Sequence, residues 1–265
     1  MVEEGCRMPT DSALEPNRFR TASRSYLEGR PPYSAALIQR VAQVCGLGLA
    51  ARVLDLGCGP GQLARAFAPF VAEVIAIDPS RDMLAVARDA TGPAVTNIVW
   101  REGSSYDLGP AVGRVRLTVM GRSFHWMDRA DTLRRLDALT EPGGAVALFS
   151  DRYPEVAENA WRETYRAVAD RHGTGDQKPR RARFRHESVM LDGPFPVLEL
   201  FGAVDRRPLT VDMLAARLLS MSSTSREKIG DRADAMIDDL RASFAGAGPM
   251  QEVVVSEALV GWRPV

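Results

Sequence analysis

Residues 53 to 62 read Val-Leu-Asp-Leu-Gly-Cys-Gly-Pro-Gly-Gln: a short apolar run holding an acid, then glycines at alternate positions, then a helical pattern. That order describes a buried strand entering a tight turn beneath a nucleotide-like ligand. Glycine suits such a turn because close approach to a ligand leaves no room for a Cβ and can require positive φ. The exposed N–H groups that open the following helix can then face the ligand. The spacing Gly57-x-Gly59-x-Gly61 departs from the G-x-G-x-x-G dinucleotide fingerprint, and no Lys-Ser/Thr pair follows, which excludes a P-loop.

After Gly61, Leu63, Ala64, Phe67 and Ala68 share one helix face until Pro69 stops it. A second apolar run, Val71 to Ile77, ends in Asp78 and completes a β-α-β unit. A carboxylate there can accept hydrogen bonds from both ribose hydroxyls. It can also serve as an N-cap before Pro79 and the helix carrying Met83, Leu84 and Ala87. Further strands are expected at Asn97 to Arg101, Val115 to Gly121 and Ala145 to Phe149. Leu133, Leu136 and Leu139 mark a helix before the last of these, broken by Glu141-Pro142-Gly143-Gly144. Strands alternating with helices from 53 to 150 imply a parallel sheet covered on both sides, with ligands at the carboxyl ends of its strands.

The string Val-Leu-Asp-Leu-Gly-Cys-Gly-Pro-Gly closely resembles motif I of the class I S-adenosylmethionine-dependent methyltransferases. Two further segments resemble the small-molecule branch that includes trans-aconitate and natural-product methyltransferases: Tyr26-x-x-Gly-Arg30-Pro-x-Tyr33 and the His125-Trp126 pair after the fourth strand. "Leu-x-Pro-Gly-Gly" before the fifth strand and Leu-x-Ser-x-Ser around Ser220 are similar to that branch as well. The resemblance implies a doubly wound, mostly parallel seven-stranded α/β sheet of the Rossmann-like class I type, with an N-terminal helical cover and a lid insertion after the fifth strand. It implies cofactor contacts from Tyr26, Arg30, Asp55, Gly57, Gly59, Gly61, Asp78, Pro79, Met83, Ser104, Ser105 and Gly121. Substrate contacts would come from Tyr33, His125 and Trp126. The chain departs from the family twice. Ser104 fills the place of an adenine-binding acid, where a hydroxyl accepts the same hydrogen bond without charge assistance. Arg116 replaces an Asp at the entry to the fourth strand, a change that touches structure or solubility more than chemistry.

Around this core, 1–20 is expected to be a mobile tail and 21–265 one domain, with 53–150 the cofactor-binding core and 151–197 and 208–250 the substrate lid and cap. A helix carrying Leu37, Ile38, Val41 and Cys45 precedes the core. Beyond it, helices are expected around Val156 to Ala169, from Thr210, and from Arg226 to Phe244. A sixth strand is expected at Leu198 to Val204, and a closing strand or hairpin at Gln251 to Val255 and Ala258 to Trp262. Equal numbers of basic and acidic residues, 34 each, argue against a partner bound by bulk electrostatics such as duplex DNA. No apolar run approaches the roughly 18 residues that span a bilayer, and no secretory signal is evident, so a cytoplasmic setting is the default. Cys6, Cys45 and Cys58 form neither a disulfide framework nor a metal cluster. The basic run Lys178 to His186 reads as a solvated lid loop, a phosphate grip or a reader of acidic substrates. Tyr26 to Tyr33 reads either as a cofactor cover or as a proline-stiffened linker.

Methyl transfer from a sulfonium is an in-line displacement that needs alignment and exclusion of water, and no metal. A hydroxyl acceptor gains from a base, and His125 is the candidate; a structural histidine beside a pocket-walling Trp126 is the other reading. The expected function is transfer of a methyl from S-adenosylmethionine, leaving S-adenosylhomocysteine, to oxygen of a small molecule in specialised metabolism. Two alternatives stand beside it: a cofactor-binding cyclase or binding module of the same fold, and RNA methylation.

Overall fold

Successive residues of the central strands bury alternately into two different apolar clusters, which is what a sheet covered on both faces requires. Val53, Val74, Ala76, Leu117, Val119, Ala145 and Ala147 face one cluster, while Leu54, Leu56, Ile75, Ile77, Met120, Val146 and Leu148 face the other. The structure, a computed structural model, describes residues 22–174, 186–221 and 223–264. The expected tail at 1–20, the run from Lys178 through Arg185, and Ser222 lie outside the described residues.

The helices are α1 (Ala22–Gly29), α2 (Ala35–Val44), α3 (Gln62–Phe67), α4 (Arg81–Asp89), α5 (Arg129–Leu139), α6 (Trp161–His172), α7 (Glu187–Leu191), α8 (Val211–Leu219), α9 (Arg226–Ile229) and α10 (Arg232–Ser243). The strands are β1 (Arg52–Leu56), β2 (Glu73–Asp78), β3 (Ile98–Glu102), β4 (Val115–Gly121), β5 (Thr140–Arg152), β6 (Val197–Leu209) and β7 (Met250–Trp262). They form one seven-stranded sheet in the order β3-β2-β1-β4-β5-β7-β6. The five strands β1 to β5 are parallel; β7 runs antiparallel between β5 and β6. This is the doubly wound arrangement the sequence implied. Its strand order reverses beside β1, so the loop after β1 opens into the crevice where such sheets bind ligands.

One face is covered by α2 and α3 with Leu84 of α4, the other by α5 and Met190 of α7. A third apolar cluster lies off the sheet, where Trp161, Tyr165 and Val168 of α6 pack with Leu214 and Leu218 of α8 and with Met236 and Leu240 of α10. The segment after β5 and the segment after β6 thus pack against each other as one cap. The backbone of α1 crosses α8 closely: a Cβ on Gly29 would lie 2.3 Å from the Arg217 nitrogen.

Several boundaries differ from the sequence reading for physical reasons. Glu141-Pro142-Gly143-Gly144 does not end the helix and start a strand cleanly. It forms an irregularity within β5, where Val115 pairs with Thr140 but Leu117 already pairs with Ala145. Arg116 holds it there, donating from Nε to the Cys45 carbonyl at 2.8 Å and from Nη1 to the Pro142 carbonyl at 2.9 Å. The helical stretch 226–244 breaks at Gly230, whose φ of 56° is left-handed. Residues 251–262 are a single strand and not a hairpin, because β7 pairs along its whole length with β6, which itself extends to Leu209. Strand β2 begins at Glu73, and Pro69 sits in a 3₁₀ turn, Ala68–Phe70, that follows α3. No described helix is long and apolar enough to cross a membrane.

Candidate functional site

The loop after β1 is built by backbone donors meeting the end of β2. Both Gly57 N and Cys58 N donate to the Ile77 carbonyl, at 2.8 and 3.0 Å. Asp78 then takes the Gly59 N–H on Oδ2 at 2.7 Å and the Ser80 N–H on Oδ1 at 2.9 Å. Each carboxylate oxygen has two lone pairs, so both keep one for a ligand hydroxyl. The N-cap of α4 is Ser80, not Asp78: its hydroxyl accepts from Met83 N at 3.3 Å. Gly57 cannot be replaced freely, since φ is 68° and a Cβ would lie 2.6 Å from Ser123 Cβ. Asp55 is buried beneath the loop and accepts the Ala64 N–H at 2.8 Å. Burial pushes its carboxyl up to about 7, against the pull of that N–H, and the nearby Asp78 adds to the rise. Burial raises Asp78 as well, opposed by the Ser80 and Gly59 N–H groups.

A strap from Gly29 to Ser34 roofs the loop. Two of its residues are prolines, and their carbonyls have no sheet or helix partner, so side chains supply the donors. Four consecutive carbonyls are held from four different elements. Arg217 Nε donates to Gly29 O at 2.7 Å, Gln62 Nε2 to Arg30 O at 3.2 Å, Arg122 Nη2 to Pro31 O at 3.3 Å and Arg207 Nη1 to Pro32 O at 2.6 Å. Ser34 N donates to Ser256 Oγ at 3.2 Å. Beneath the strap Tyr33 packs edge-on to Phe149, with the Arg122 guanidinium 4.5 Å over its ring. Arg122 also forms a part-buried ion pair with Asp151 at the end of β5. The Tyr33 hydroxyl is buried and has no hydrogen-bond partner among the described residues.

The resulting cleft is lined by Tyr26, Tyr33, Asp55, Gly57, Gly59 and Gly121 among the expected residues, together with Cys58, Pro60, Gln62, Leu63 and Arg122. Asp78 stands directly behind Gly59, and Gly61 opens α3 with φ 76°. Arg30 lies over the Tyr26 ring at 5.5 Å and donates from Nε to Ser220 Oγ at 3.2 Å. Pro79, Met83, Ser104, Ser105, His125 and Trp126 are not among the lining residues. Met83 and Ser105 are buried. The Ser104 hydroxyl caps a short 3₁₀ turn, accepting from Tyr106 N at 3.2 Å and donating to Asp107 at 2.8 Å. That turn places a carboxylate, Asp107, three residues after the serine, and its bonds from Ser104 hold it below the usual carboxylate range. His125 and Trp126 sit on a 3₁₀ turn after β4 with ring centroids 4.9 Å apart.

Sequence reasoning passed over Arg122, Asp151, Gln62 and Asp107. The available signals were an arginine directly after the glycine that ends β4 and an acid at the far end of β5. Among the described residues no group of three His, Cys, Asp or Glu is placed to hold a metal ion. Cys45 and Cys58 are buried free thiols.

A profile of the methyltransferase domain matches residues 53–144, from β1 to the irregularity in β5. The chain carries a methyltransferase domain. The chain is 33% identical over 138 residues to a malonyl-[acyl-carrier protein] O-methyltransferase of Enterobacter lignolyticus, covering 51% of this chain and 49% of that one. It is 29% identical over 130 residues to an uncharacterized methyltransferase of Mycobacterium tuberculosis, covering 49% and 50%. The chain thus spans about half the length of the curated relatives it matches. Solved structures extend the likeness beyond the methyltransferase domain to nearly the whole chain, at the level of fold. A proposed type II methyltransferase from Anaeromyxobacter dehalogenans matches with TM-score 0.62 and 22% identity, covering 88% of this chain and 97% of that one. A SAM-dependent methyltransferase from Thiobacillus denitrificans, solved with S-adenosyl-L-homocysteine, matches with TM-score 0.52 and 16% identity, covering 92% and 97%. The fold is that of the class I methyltransferases.

Proposed function

We propose that this chain transfers a methyl group from S-adenosylmethionine to oxygen, a hydroxyl or a carboxylate, of a small-molecule acceptor in specialised metabolism. The observation that carries the reading is the pair of buried acids at the ends of β1 and β2, wrapped by a left-handed glycine loop under a strap that bears an unpartnered phenol. The donor set fits the cofactor. Asp78 keeps a free lone pair on each oxygen for the ribose hydroxyls, and Asp55 is a buried acid that gains from a cationic neighbour. Arg30, beside the cleft on the strap, supplies a guanidinium for a carboxylate. Gly57, Gly59 and Gly61 keep the loop close to the ligand, and Gly121 lets the end of β4 approach it. Pro79, Met83 and Ser105 border the adenine end together with Ser104, and Asp107 is a second candidate acceptor there.

When bound, the cofactor supplies an electrophilic methyl on a positively charged sulfur. The residues of this chain bind and orient it and keep water out, which is most of what an in-line displacement asks of an enzyme. The strap and the Tyr26 and Tyr33 rings close the site from above. Tyr33 through its ring, His125 and Trp126 are the proposed acceptor contacts. A carboxylate acceptor is already ionised at neutral pH and uses no base; a hydroxyl acceptor would hand its proton to His125. The cap adds an aromatic wall, with Tyr153, Trp161 and Tyr165 packed edge-on at 5.8 and 5.7 Å.

The test is release of S-adenosylhomocysteine from S-adenosylmethionine across a panel of small hydroxyl and carboxylate compounds, with Asp78→Ala as control. Release with at least one compound, lost in the control, is the expected result. Cofactor binding with no release across the panel would overturn methyl transfer in favour of a cofactor-holding cyclase or binding module. Release only with RNA, binding of which weakens steeply with salt, would overturn the small-molecule acceptor.

A further inference from the structure

Arg122 is the single non-glycine residue among those described whose backbone is left-handed, with φ 57°. Strain of this kind collects where a ligand site needs a side chain aimed against the run of the backbone. Here β4 ends at Gly121, Arg122 N still donates to the Phe149 carbonyl at 3.1 Å, and the guanidinium lies in the cleft instead of following the strand. Its contacts converge from four directions. It pairs with Asp151 at the end of β5, donates to the strap at Pro31, reaches Gln62 Oε1 at 3.4 Å and stacks on the Tyr33 ring. Asp151 is itself fixed from behind by Ser256 Oγ at 3.3 Å, the same hydroxyl that receives the strap's Ser34 N–H.

The Tyr33 hydroxyl is the one group of this assembly left without a partner. It reaches the cleft beside Gly121, where a Cβ would stand 2.9 Å from the hydroxyl oxygen. A buried hydroxyl without a partner is costly, and a ligand that accepts its hydrogen bond recovers that cost. Burial raises the phenol well above its ordinary range, so it stays protonated and acts as a donor.

We propose that Arg122, anchored by Asp151, is the positioning residue of the transfer site: it holds the Tyr33 ring and the strap so that the Tyr33 hydroxyl donates a hydrogen bond to the methionine end of the bound cofactor. The proposal rests on the S-adenosylmethionine reading above. It assigns to Arg122 no contact with the reacting atoms, only action through Tyr33. A planar guanidinium is required, because a lysine keeps the charge but neither stacks on a ring nor reaches the carboxylate and the Pro31 carbonyl together.

The test is a double-mutant cycle read by calorimetric titration with S-adenosylhomocysteine, alongside thermal melting of each variant. Tyr33→Phe keeps the ring and removes the hydroxyl, and is expected to weaken binding about tenfold. Arg122→Lys is expected to weaken it to a similar extent, and the double variant no further than the weaker single one. Roughly hundredfold loss in the double variant, a silent Tyr33→Phe, or an Arg122→Lys that lowers the melting temperature while binding is unchanged would each overturn the proposal. Should Arg122→Lys show no cooperative melt, Asp151→Asn takes its place in the cycle with the same expected non-additivity. Wild-type protein that does not bind S-adenosylhomocysteine removes the cofactor reading and this proposal with it; wild-type binding with additive variants removes the proposal alone.

Discussion

The half of the molecule from β1 to the start of β5 and the half beyond it are held together by different means. In the first half the glycine loop is tied by bonds from its backbone N–H groups to the end of β2 and to a buried acid: Gly57, Cys58 and Gly59 hang on Ile77 and Asp78, and Ala64 on Asp55. In the second half the decisive contacts are long-range ion pairs. Arg217 is buried between the rings of Tyr153 and Trp161, at 5.5 and 5.4 Å, and bonds both oxygens of the fully buried Glu252, at 2.9 and 3.2 Å. Turn-built sites are local and recur as motifs. Contacts built by distant partners leave no such local motif.

The largest expected effect lies in the second half. Glu252→Ala leaves the Arg217 charge buried without its partner and should destabilise the protein by about 3–5 kcal/mol, lowering Tm by on the order of 10 °C. Replacing both, Arg217→Met with Glu252→Leu, should recover much of that loss in the same thermal melt. A double variant no better than the single one would show that the pair's charge balance is not what matters.

In the first half, Gly57→Ala meets both a left-handed φ and Ser123 Cβ at 2.6 Å. The cost should be about 1–3 kcal/mol in urea denaturation, with at least tenfold weaker S-adenosylhomocysteine binding. Unchanged binding would mean that the loop is not the site.

Asp55 gives the first half a pH signature of its own. The unfolded chain releases this proton near pH 3.9, whereas the folded protein holds it to about 7. Between those values the unfolded state binds fewer protons, so this group's contribution to stability falls as pH rises from about 4 to 7 and is level above. Urea midpoints for wild type and Asp55→Asn, measured at pH 5 and 7.5, should show this component of the slope only in the wild type.

The smallest effect is expected on the turn after β4. His125 is not among the residues that line the cleft and a carboxylate needs no base, so His125→Ala should lower methyl transfer to a carboxylate acceptor less than tenfold. A loss of 10²–10⁴ with a hydroxyl acceptor would restore it as a general base.

The difference in construction also explains what could be read from the sequence. The strands of the parallel core, the loop and the Asp55 and Asp78 positions were legible because apolar periodicity and glycine spacing are local signals. Thr210 was legible as a cap, and its hydroxyl accepts from Met213 N at 3.2 Å. Arg122 was not, because its partners Pro31, Gln62 and Asp151 are 91, 60 and 29 positions away. Ser104 was read as a ligand contact because it occupies a motif position, yet the turn that follows uses its hydroxyl and brings Asp107 forward. The full reach of β6 was hidden for a similar reason: its register is set by β7, more than forty residues downstream.

The strap at residues 29 to 32 is gripped by its carbonyl oxygens, and every amino acid has one. Apart from Gly29, where a Cβ would lie 2.3 Å from the Arg217 nitrogen, and Arg30, which bonds Ser220, its own side chains take no part in that grip. Arg217, Gln62, Arg122 and Arg207 carry the recognition instead, so the instructions for closing the site are written in four places, none of them within the segment that closes.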